Sequence, residues 1–472
     1  MKPTIGIEVH VELKSMAKVF SLSKNSFNDE VNTNINVLDL GYPGALPRLN
    51  KGVIEMALKA CLAFNCKINR LMHFDRKNYF YPDLPKGYQI TQKDTPIGYD
   101  GYLEISDKKI YLERIHIEED TCKSLHTTDT LLNFNRAGVP LIEIVTKPCL
   151  SSGAEAVAYL EKLRETLLYL GISDVKIEEG SMRCDVNVSV SDTDELGTKC
   201  EVKNIGSISN VGLAIDYEIK RQEELIKNGE VIVEQTRRFD DKTKTTKLMR
   251  YKETGNDYRY FPEPDIPCVY IDDEWLEKVK NDMPILTDEL KDKYTKLGIN
   301  NNNIKTIIAN KDVCAFLETI IDEVNPVIAA NLLTGDVLSY LNKNIIKIVD
   351  TKLTKENFIK LVNLLDKKII SSKQGKEIIS EILEKGTDVD VIVKENNMEQ
   401  ISDDSLVLEI VLKVITNNKD IVQEFKDGKD RAFKYLMGQI MKESKGKINP
   451  SLASQVLNRE LAKYWFSCLF IV

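Results

Sequence analysis

The first part of the chain contains short segments in which apolar and polar residues alternate, the pattern of a half-buried β-strand. In residues 5–13 every second residue is apolar, and Glu8, His10 and Glu12 fall on the opposite face. We therefore predict a sheet with one apolar and one polar face. The same period of two recurs at 114–118, 183–190 and 199–203.

Two longer segments, 155–170 and 211–227, have the period of an amphipathic helix. Gly171 follows the first and Asn228-Gly229 the second, and glycine just after the last apolar position is a common helix stop. Because helices and strands do not alternate regularly, the pattern predicts an α+β fold rather than a doubly wound parallel sheet.

After about Met283 helical periods replace strand periods, and Ser402 and Asp403 have the character of helix caps. We therefore predict three domains, 1–290 with the sheet, 291–405 helical, and 406–472 a small helical tail. Three domains agree with a chain of 472 residues at roughly 150 residues per domain.

The composition, 42% hydrophobic and 29% charged, is that of a globular protein and excludes wholesale disorder. No apolar run approaches the ~18 residues that span a bilayer, and the N-terminus lacks the pattern of a signal or transit peptide. The nine cysteines are scattered without a CxxC pair, which argues for reduced thiols and against a zinc ribbon. We expect a cytoplasmic protein that does not attach to membranes.

The net charge of −8 argues against binding nucleic acid through overall charge. Between residues 426 and 447, however, there are seven basic residues and only three acidic ones. This basic segment is either a solvated helix face or a surface that contacts a phosphate backbone.

Common catalytic motifs are missing from the sequence. It contains no GxxxxGK[ST], GxGxxG, HExxH or GxSxG pattern. If the protein handles a nucleotide, it therefore uses a phosphate-binding arrangement other than a Walker loop.

Candidate chemistry begins with the polar face of the first strand. Glu8, His10 and Glu12 are costly to bury unpaired, and a divalent cation would remove that cost. Carboxylate oxygens suit Mg²⁺, whereas the imidazole of His10 suits softer metals or a supporting position. The alternative is a solvated strand face.

Further ionisable residues lie on other predicted strands. The run 116–120, HIEED, could complete a metal site through Glu118 or Glu119, or form a polar turn. Strand parity groups Glu118 with His116, but parity often fails at a strand end, so both glutamates stay open. Two further polar strand faces contain carboxylates, namely Asp185 with Asn187 and Ser189, and Glu201 with Lys203. These carboxylates could join an acidic cluster on a shared sheet, or they could lie on separate exposed faces.

Two loops, 74–92 and 249–267, interleave basic residues with tyrosine and phenylalanine. Unpaired RNA ends are bound by aromatic stacking together with phosphate contacts. A structural loop rich in tyrosine and proline would have the same composition, but the presence of two such loops argues against a purely structural role for both.

Taken together, these segments resemble the B subunits of the aspartyl/glutamyl-tRNA(Asn/Gln) amidotransferases. The resemblance follows the chain in order from the first strand to the tail. The segments that carry it are IGIEVHVEL at 5–13, NTNINVLDLGYPGALPRLN at 32–50, FDRKNYFYPDLPKGYQITQ at 74–92, HIEED at 116–120, NRAGVPLIEIV at 135–145, DVKIEEGSMRCDVNVSV at 174–190, EVKNIGS at 201–207, DYRYFPEPDIP at 257–267 and MGQIMKESKGKINPSLASQVL at 437–457.

The resemblance implies a glutamine-synthetase-like cradle domain with an antiparallel sheet, a helical domain, and a tail domain that contacts tRNA. It implies ATP and Mg²⁺ as cofactors, and an amidase A subunit and a small C subunit as partners in a heterotrimer. The implied reaction phosphorylates the side-chain carboxylate of Glu-tRNA(Gln), Asp-tRNA(Asn) or both, and ammonia from the A subunit then displaces the phosphate. The alternative is a tRNA-binding scaffold without catalytic activity.

The resemblance also implies functional residues by motif. It places Glu8, His10, Glu119, Asp185 and Glu201 around the metal and ATP, with Glu118 as the alternative to Glu119. It implies substrate or phosphate contacts for Lys77, Tyr81, Lys86, Arg183, Lys203 and Arg250.

Two features depart from the family pattern. Some members carry a cysteine zinc site after the first strand, but residues 14–39 contain no cysteine here, so we expect no zinc. The chain also ends in an unusually apolar segment, YWFSCLFIV, which leaves the role of the tail in tRNA binding open.

Overall fold

The computed structural model describes residues 1–26, 29–106, 108–126, 128–251, 258–396, 404–426, 429–444, 448 and 450–466. The chain divides into two compact units, Met1–Leu286 and Thr287–Val472. The first unit contains the sheets, and the second is helical. The predicted α+β class is therefore confirmed.

The strands of the first unit range from two-residue bridges to segments of 10–12 residues. In chain order they are β1 Lys2–Glu12, β2 Lys67–Ile68, β3 Leu71–Met72, β4 Asp75–Asn78, β5 Tyr88–Thr91, β6 Gly98–Tyr99, β7 Tyr102–Ile105, β8 Lys108–Glu119, β9 Lys123–His126, β10 Thr130–Asn133, β11 Pro140–Thr146, β12 Met182–Ser191, β13 Cys200–Lys203, β14 Gln235–Asp240, β15 Thr245–Tyr251, β16 Phe261–Pro262 and β17 Val269–Tyr270.

A ten-stranded sheet organises the first unit, in the order β15-β14-β13-β12-β1-β11-β8-β6-β2, with β7 also paired to β8. β13 and β14 run parallel, whereas the other described pairings of this sheet are antiparallel. Beside it, β16, β4 and β5 form a three-stranded sheet. β1 is thus an interior strand, with β12 on one side and β11 on the other.

Helices cover one face of the large sheet. They are α1 Lys51–Ala63, α2 Gly153–Leu170 and α3 Ile208–Lys227, with α4 Asp273–Asn281 against α1. The apolar face of β1, including Ile5, Ile7 and Val9, is fully buried in one core with these helices. Burying each such side chain contributes about 1.5–3 kcal/mol. The polar face of β1 is left on the opposite side.

The second unit consists of short helices. They are α5 Thr287–Lys296, α6 Asn301–Ala309, α7 Lys311–Glu318, α8 Pro326–Leu332, α9 Leu338–Asn344, α10 Lys355–Asp366, α11 Ser372–Lys385, α12 Val389–Glu395, α13 Asp404–Asn417, α14 Lys419–Lys426, α15 Asp430–Glu443 and α16 Pro450–Phe466. A π-helical turn, Leu333–Val337, joins α8 to α9. Residues of α13 to α16 share an apolar cluster of their own that includes Val407, Leu436 and Leu457.

The predicted elements correspond to real ones. The strand predicted at 5–13 is β1, and the helix predicted at 155–170 is α2, which Ser152 caps and Gly171 ends in the left-handed conformation. The first unit ends at Leu286, close to the boundary predicted at 290. The boundary near 405 stays a prediction, and its caps Ser402 and Asp403 lie outside the described residues.

In the part of the chain that the structure describes, no helix has the length and apolar character needed to cross a bilayer.

The crossing of α2 and α3 depends on a glycine. A Cβ at Gly153 would lie 2.4 Å from the Gly212 carbonyl oxygen and 2.7 Å from Asp216 Oδ1. We expect Gly153→Ala to lower the free energy of unfolding of the first unit by about 1–3 kcal/mol, because the helices must separate. Urea unfolding followed by Trp275 fluorescence in a Trp465→Phe background measures this, since Trp275 lies in α4.

Gly438→Ala is the matched control, because a Cβ at that position of α15 meets no atom within 4 Å. Alanine is the better helix former, so this variant should be unchanged or more stable. Equal unfolding midpoints for Gly153→Ala and the parent would contradict the close crossing.

Candidate active site

Three carboxylates meet on the polar face of the large sheet, and we call Glu8, Asp185 and Glu201 the acidic triad. Glu8 of β1 lies directly opposite Asp185 of β12. Glu201 of β13 lies opposite Asn187, two residues further along β12. Because directly opposite residues share a face, one oxygen from each carboxylate lies within 4.8 Å of the other two. This spacing suits shared coordination of one cation.

The acidic triad is only partly neutralised. Lys203 Nζ lies 2.6 Å from Asp185 Oδ2 and 3.0 Å from Glu201 Oε1. Burial lowers the pKa of Lys203, but these carboxylates outweigh burial and raise the pKa above its ordinary value. Burial raises the pKa of Glu8, and the charges of Glu143, Asp185 and Glu201 raise it further. Glu8 is thus the member with the least compensation.

A second group adjoins the acidic triad along β1. It comprises His10, His116, Glu118 and Glu143, the histidine–glutamate cluster. His10 lies opposite Glu143 of β11, which lies opposite His116 of β8. Glu143 Oε2 is 3.3 Å from the Nε2 atoms of both histidines, and His10 Nε2 is 3.5 Å from Glu118 Oε1. Donor atoms of His10, Glu118 and Glu143 lie within 4.8 Å of one another.

The histidine–glutamate cluster is neutral when both imidazoles are protonated. Burial lowers the pKa of His116, but the carboxylates of Glu143 and Glu118 raise it to about 9. Burial also opposes protonation of His10, yet Glu143 and Glu118 leave its pKa raised. His116 Nδ1 is buried without a hydrogen-bond partner among the described residues. A divalent cation could replace the protons and preserve the charge balance.

Glu118 and Glu119, which are adjacent in β8, point to opposite faces of the strand. Glu118 joins the histidine–glutamate cluster, whereas Glu119 accepts hydrogen bonds from Lys86 Nζ at 2.5 Å and from the Ile90 backbone N–H at 2.9 Å. Successive residues of a strand point to opposite faces, and this alternation persists to the end of β8. The structure therefore does not bring Glu119 and Lys86 together with the acidic triad.

Three other basic residues were predicted to contact substrate or phosphate, and they lie at different places relative to the histidine–glutamate cluster and the acidic triad. Arg183 Nη2 bonds Asp120 Oδ2 at 2.8 Å, beyond the histidine–glutamate cluster. The pKa of Lys77, which burial lowers, is raised by the nearby carboxylates of Glu118 and Glu143. Arg250 lies opposite Thr236 of β14, exposed at the edge strand of the sheet.

Glu12 ends the polar face of β1 beside a cavity of about 360 Å³ that Arg136 and Asn135 also line. Burial and the charge of Asp120 raise the pKa of Glu12 to about 7, although Arg183 and Arg136 oppose the shift. Glu12 therefore changes its charge near neutral pH.

Glu143 is not among the site residues that the sequence predicts. A signal was present, because it is the lone ionisable residue in β11, PLIEIVT, where every residue is buried. A carboxylate inside a buried strand requires a partner. The partners became visible only through the pairing of β11 with β1 and β8.

Comparisons with known proteins agree with the motif resemblance. A family model described as the GatB/GatE catalytic domain matches residues 3–277, and one described as the GatB domain matches residues 315–461. The chain is 47% identical over 469 residues to the B subunit of the aspartyl/glutamyl-tRNA(Asn/Gln) amidotransferase of Geobacillus thermodenitrificans, covering 97% of this chain and 98% of the relative. The relative of the same name from Bacillus cereus is 46% identical over 472 residues, or 98% of this chain and 99% of that protein.

The raised pKa of Glu12 predicts a pH-dependent stability. A raised pKa means that folding favours the protonated acid, so this stabilisation is present below about pH 4.5 and is lost as the pH rises through about 7. We expect Glu12→Gln to remove this loss, which amounts to no more than about 3 kcal/mol. Urea unfolding at pH 5 and pH 8, followed by Trp275 fluorescence in the Trp465→Phe background, measures the difference.

Glu113→Gln is the control, because Glu113 of β8 is exposed. Its stability should follow the parent at both pH values. A parent and a Glu12→Gln variant with the same pH dependence would contradict the shift.

Proposed function

Because this chain belongs to the family of B subunits of the aspartyl/glutamyl-tRNA(Asn/Gln) amidotransferases, which are ligase-type enzymes, we propose that it activates the side-chain carboxylate of Glu-tRNA(Gln), Asp-tRNA(Asn) or both by phosphorylation with ATP. Amidation by ammonia then yields the correctly charged tRNA. The observation that carries the proposal is the acidic triad, with a histidine–glutamate cluster beside it.

The chemistry explains why carboxylates gather here. A carboxylate is a poor electrophile, and its conversion to an acyl phosphate provides a leaving group for ammonia. Phosphoryl transfer depends mainly on positioning and neutralisation of charge. The absence of a Walker loop is compatible with this, because carboxylate-bound Mg²⁺ serves the same purpose.

The residues fit Mg²⁺. The acidic triad offers only oxygen ligands, as Mg²⁺ prefers, and the raised pKa of Glu8 reflects negative charge that a cation would offset. Glu8, Asp185 and Glu201 would hold the cation that accompanies ATP, and His10, Glu118 and Glu143 would hold a second. When bound, these ions neutralise phosphate charge.

Basic side chains of this chain lie near the two groups of carboxylates and can contact the phosphates or the substrate. Lys203 spans Asp185 and Glu201, and its ammonium group would lie beside any phosphate bound at these carboxylates. Lys77 lies near the histidine–glutamate cluster, where it can meet the substrate carboxylate. Arg183 and Arg250 are farther out and suit phosphates that extend beyond the carboxylates. Glu119 and Lys86 instead attach β5 to β8.

We also propose which subunits this chain assembles with and where in the cell the complex works. An amidase A subunit would supply ammonia and a small C subunit would complete a heterotrimer, since the family name describes one subunit of a larger enzyme. The basic segment at 426–447 would contact the tRNA body. We propose that the complex works in the cytoplasm, where translation occurs, and that it needs no zinc.

The decisive experiment follows γ-phosphate from labelled ATP into Glu-tRNA(Gln), using the chain co-purified with its A and C subunits. Ammonium and glutamine are withheld so that the acyl phosphate accumulates. We expect Mg²⁺-dependent labelling that falls at least about 100-fold in Glu8→Gln and in Asp185→Asn, because each removes charge that positions the phosphate.

Glu113→Gln should label like the parent, because its side chain is exposed. Absence of labelling in the parent, with tRNA bound and the A subunit active on glutamine, would favour the scaffold without catalytic activity.

The two metal groups should differ in their response to pH. A metal held by His10, Glu118 and Glu143 would have to displace the proton of His10, whose pKa Glu143 and Glu118 raise above its ordinary value, so the Mn²⁺ affinity of this cluster should rise with pH by up to about tenfold per unit. The Glu201→Gln variant isolates this cluster for measurement by electron paramagnetic resonance of free Mn²⁺. Glu143→Gln should instead leave only the less pH-dependent acidic triad. An affinity independent of pH in Glu201→Gln would contradict the assignment.

A further inference from the structure

Two cysteines meet at the turn that ends α1. Asn65 follows the helix in the left-handed conformation, with a φ of 54°, and turns the chain back on itself. The Cys66 N–H then donates to the Cys61 carbonyl at 2.8 Å. The Asn65 N–H donates to the Leu62 carbonyl at 3.2 Å. These two bonds define a Schellman motif, in which the side chains at the positions of Cys61 and Cys66 contact each other.

The turn brings the two cysteines within the span of a disulfide. The bonded carbonyl oxygen and amide nitrogen each lie within about 2.5 Å of their own Cα atom. The 2.8 Å hydrogen bond therefore holds the Cα atoms of Cys61 and Cys66 less than about 7 Å apart. Disulfides join residues whose Cα atoms are about 4.4–6.8 Å apart. The backbone thus already meets the distance requirement for joining the two sulfurs.

The two side chains also share one space against β6. A Cβ at Gly98 would lie 2.5 Å from Cys61 Sγ and 3.1 Å from Cys66 Cβ. Burial raises the pKa of the Cys61 thiol, and a hydrogen bond with the Cys66 thiol raises it further. Glycine at position 98 therefore leaves room for both cysteines, and their thiols contact each other in that space.

The two thiols differ in their access to solvent. Cys61 is fully buried, whereas Cys66 is half-buried. The residues on either side of Cys66 in the chain, Asn65 and Lys67, are exposed. A small oxidant can therefore reach Cys66 from solvent, and Cys61 is the thiol that an oxidised Cys66 would meet.

Packing alone does not call for two thiols at this contact. Apolar side chains ordinarily make the corresponding contact in a Schellman motif. A buried cysteine packs like a small apolar side chain, and its reactivity is what distinguishes it from one. Cysteine at both contact positions therefore points to chemistry between them.

We propose that Cys66 and Cys61 form a reversible oxidation site, at which a peroxide oxidises Cys66 and Cys61 converts the product into a disulfide. In the first step the Cys66 thiolate attacks an oxygen of hydrogen peroxide, the O–O bond breaks, and hydroxide leaves a sulfenic acid behind. In the second step the Cys61 sulfur attacks the Cys66 sulfur, the S–O bond breaks, and the departing hydroxide takes the Cys61 proton as water. Two thiols are oxidised to one disulfide, and the peroxide is reduced to two water molecules.

The disulfide would protect Cys66 from irreversible damage. A sulfenic acid without a partner thiol proceeds to sulfinic acid, which thiols do not reduce, whereas they do reduce a disulfide. A sulfinate at Cys66 would place a negative charge against β6, which pairs with the strand β8 that carries His116 and Glu118. This inference does not depend on the proposed function, because it involves none of that reaction's substrates.

The test treats the full chain, co-purified with its A and C subunits, with hydrogen peroxide and follows its thiols by mass spectrometry. Trypsin releases both cysteines in one peptide, residues 60–67. We expect this peptide to lose two hydrogen atoms under peroxide and to regain them with dithiothreitol. In Cys61→Ala the peptide should instead gain two oxygen atoms, and its irreversibly oxidised fraction should be at least about tenfold that of the parent.

Cys268 is the internal control, because it is exposed and is the single cysteine of the tryptic peptide 260–278. It should be oxidised to sulfinic acid equally in the parent and in Cys61→Ala. In Cys66→Ala the buried Cys61 should stay a free thiol. A parent that forms no disulfide while Cys268 is oxidised, or that gains sulfinic acid at Cys66 as readily as Cys61→Ala does, would overturn the inference. The first of these results needs no variant, so it does not depend on how the variants fold.

Discussion

The arrangement of the first unit depends on one constraint, the two-faced character of β1. Ile5, Ile7 and Val9 are buried under the helices, while Glu8 and His10 occupy the opposite face. A shift of register by one residue would turn three ionisable groups, Glu8, His10 and Glu12, into the core, at a cost of several kcal/mol for each unpaired group. The apolar face therefore determines where the carboxylates lie, and the pairing of β1 with β12 and β11 brings Asp185 and Glu143 beside them.

The acidic triad and the histidine–glutamate cluster, which share this face, differ in how the negative charge of their carboxylates is compensated. The acidic triad has three carboxylates and one lysine, Lys203, so it retains negative charge. The histidine–glutamate cluster balances two carboxylates with two imidazoles. The first arrangement has the charge and ligand type that suit a hard cation, whereas a metal at the second would have to displace protons. β1 thus contributes to two neighbouring groups of ionisable side chains whose charge is balanced in different ways.

The end of β8 connects these two groups to the neighbouring three-stranded sheet of β16, β4 and β5. Glu118 contributes to the histidine–glutamate cluster, and Glu119, one residue later, anchors β5 through Lys86 and Ile90. Because β5 pairs with β4, the same anchor holds the strand that carries Lys77, whose pKa is raised by the carboxylates of Glu118 and Glu143. Two adjacent residues with the same side chain therefore have different partners, because successive residues of a strand point to opposite faces.

The sequence by itself determined the local elements and their faces. A period of two marked β1, β12 and the polar positions of Glu8, His10 and Asp185, and a period of 3.6 followed by Gly171 marked α2. Motifs spread along the chain were enough to identify the family. These features depend on neighbouring residues, so pattern and turn chemistry suffice to predict them.

The tertiary structure decided which faces meet. Glu201 reaches Glu8 only because β13 pairs with β12, and Glu143 joins His10 only because β11 lies beside β1. The choice between Glu118 and Glu119 depended on the same kind of information. Pairing between distant strands is governed by burial and hydrogen bonding summed over the whole sheet, and no short stretch of sequence contains that sum.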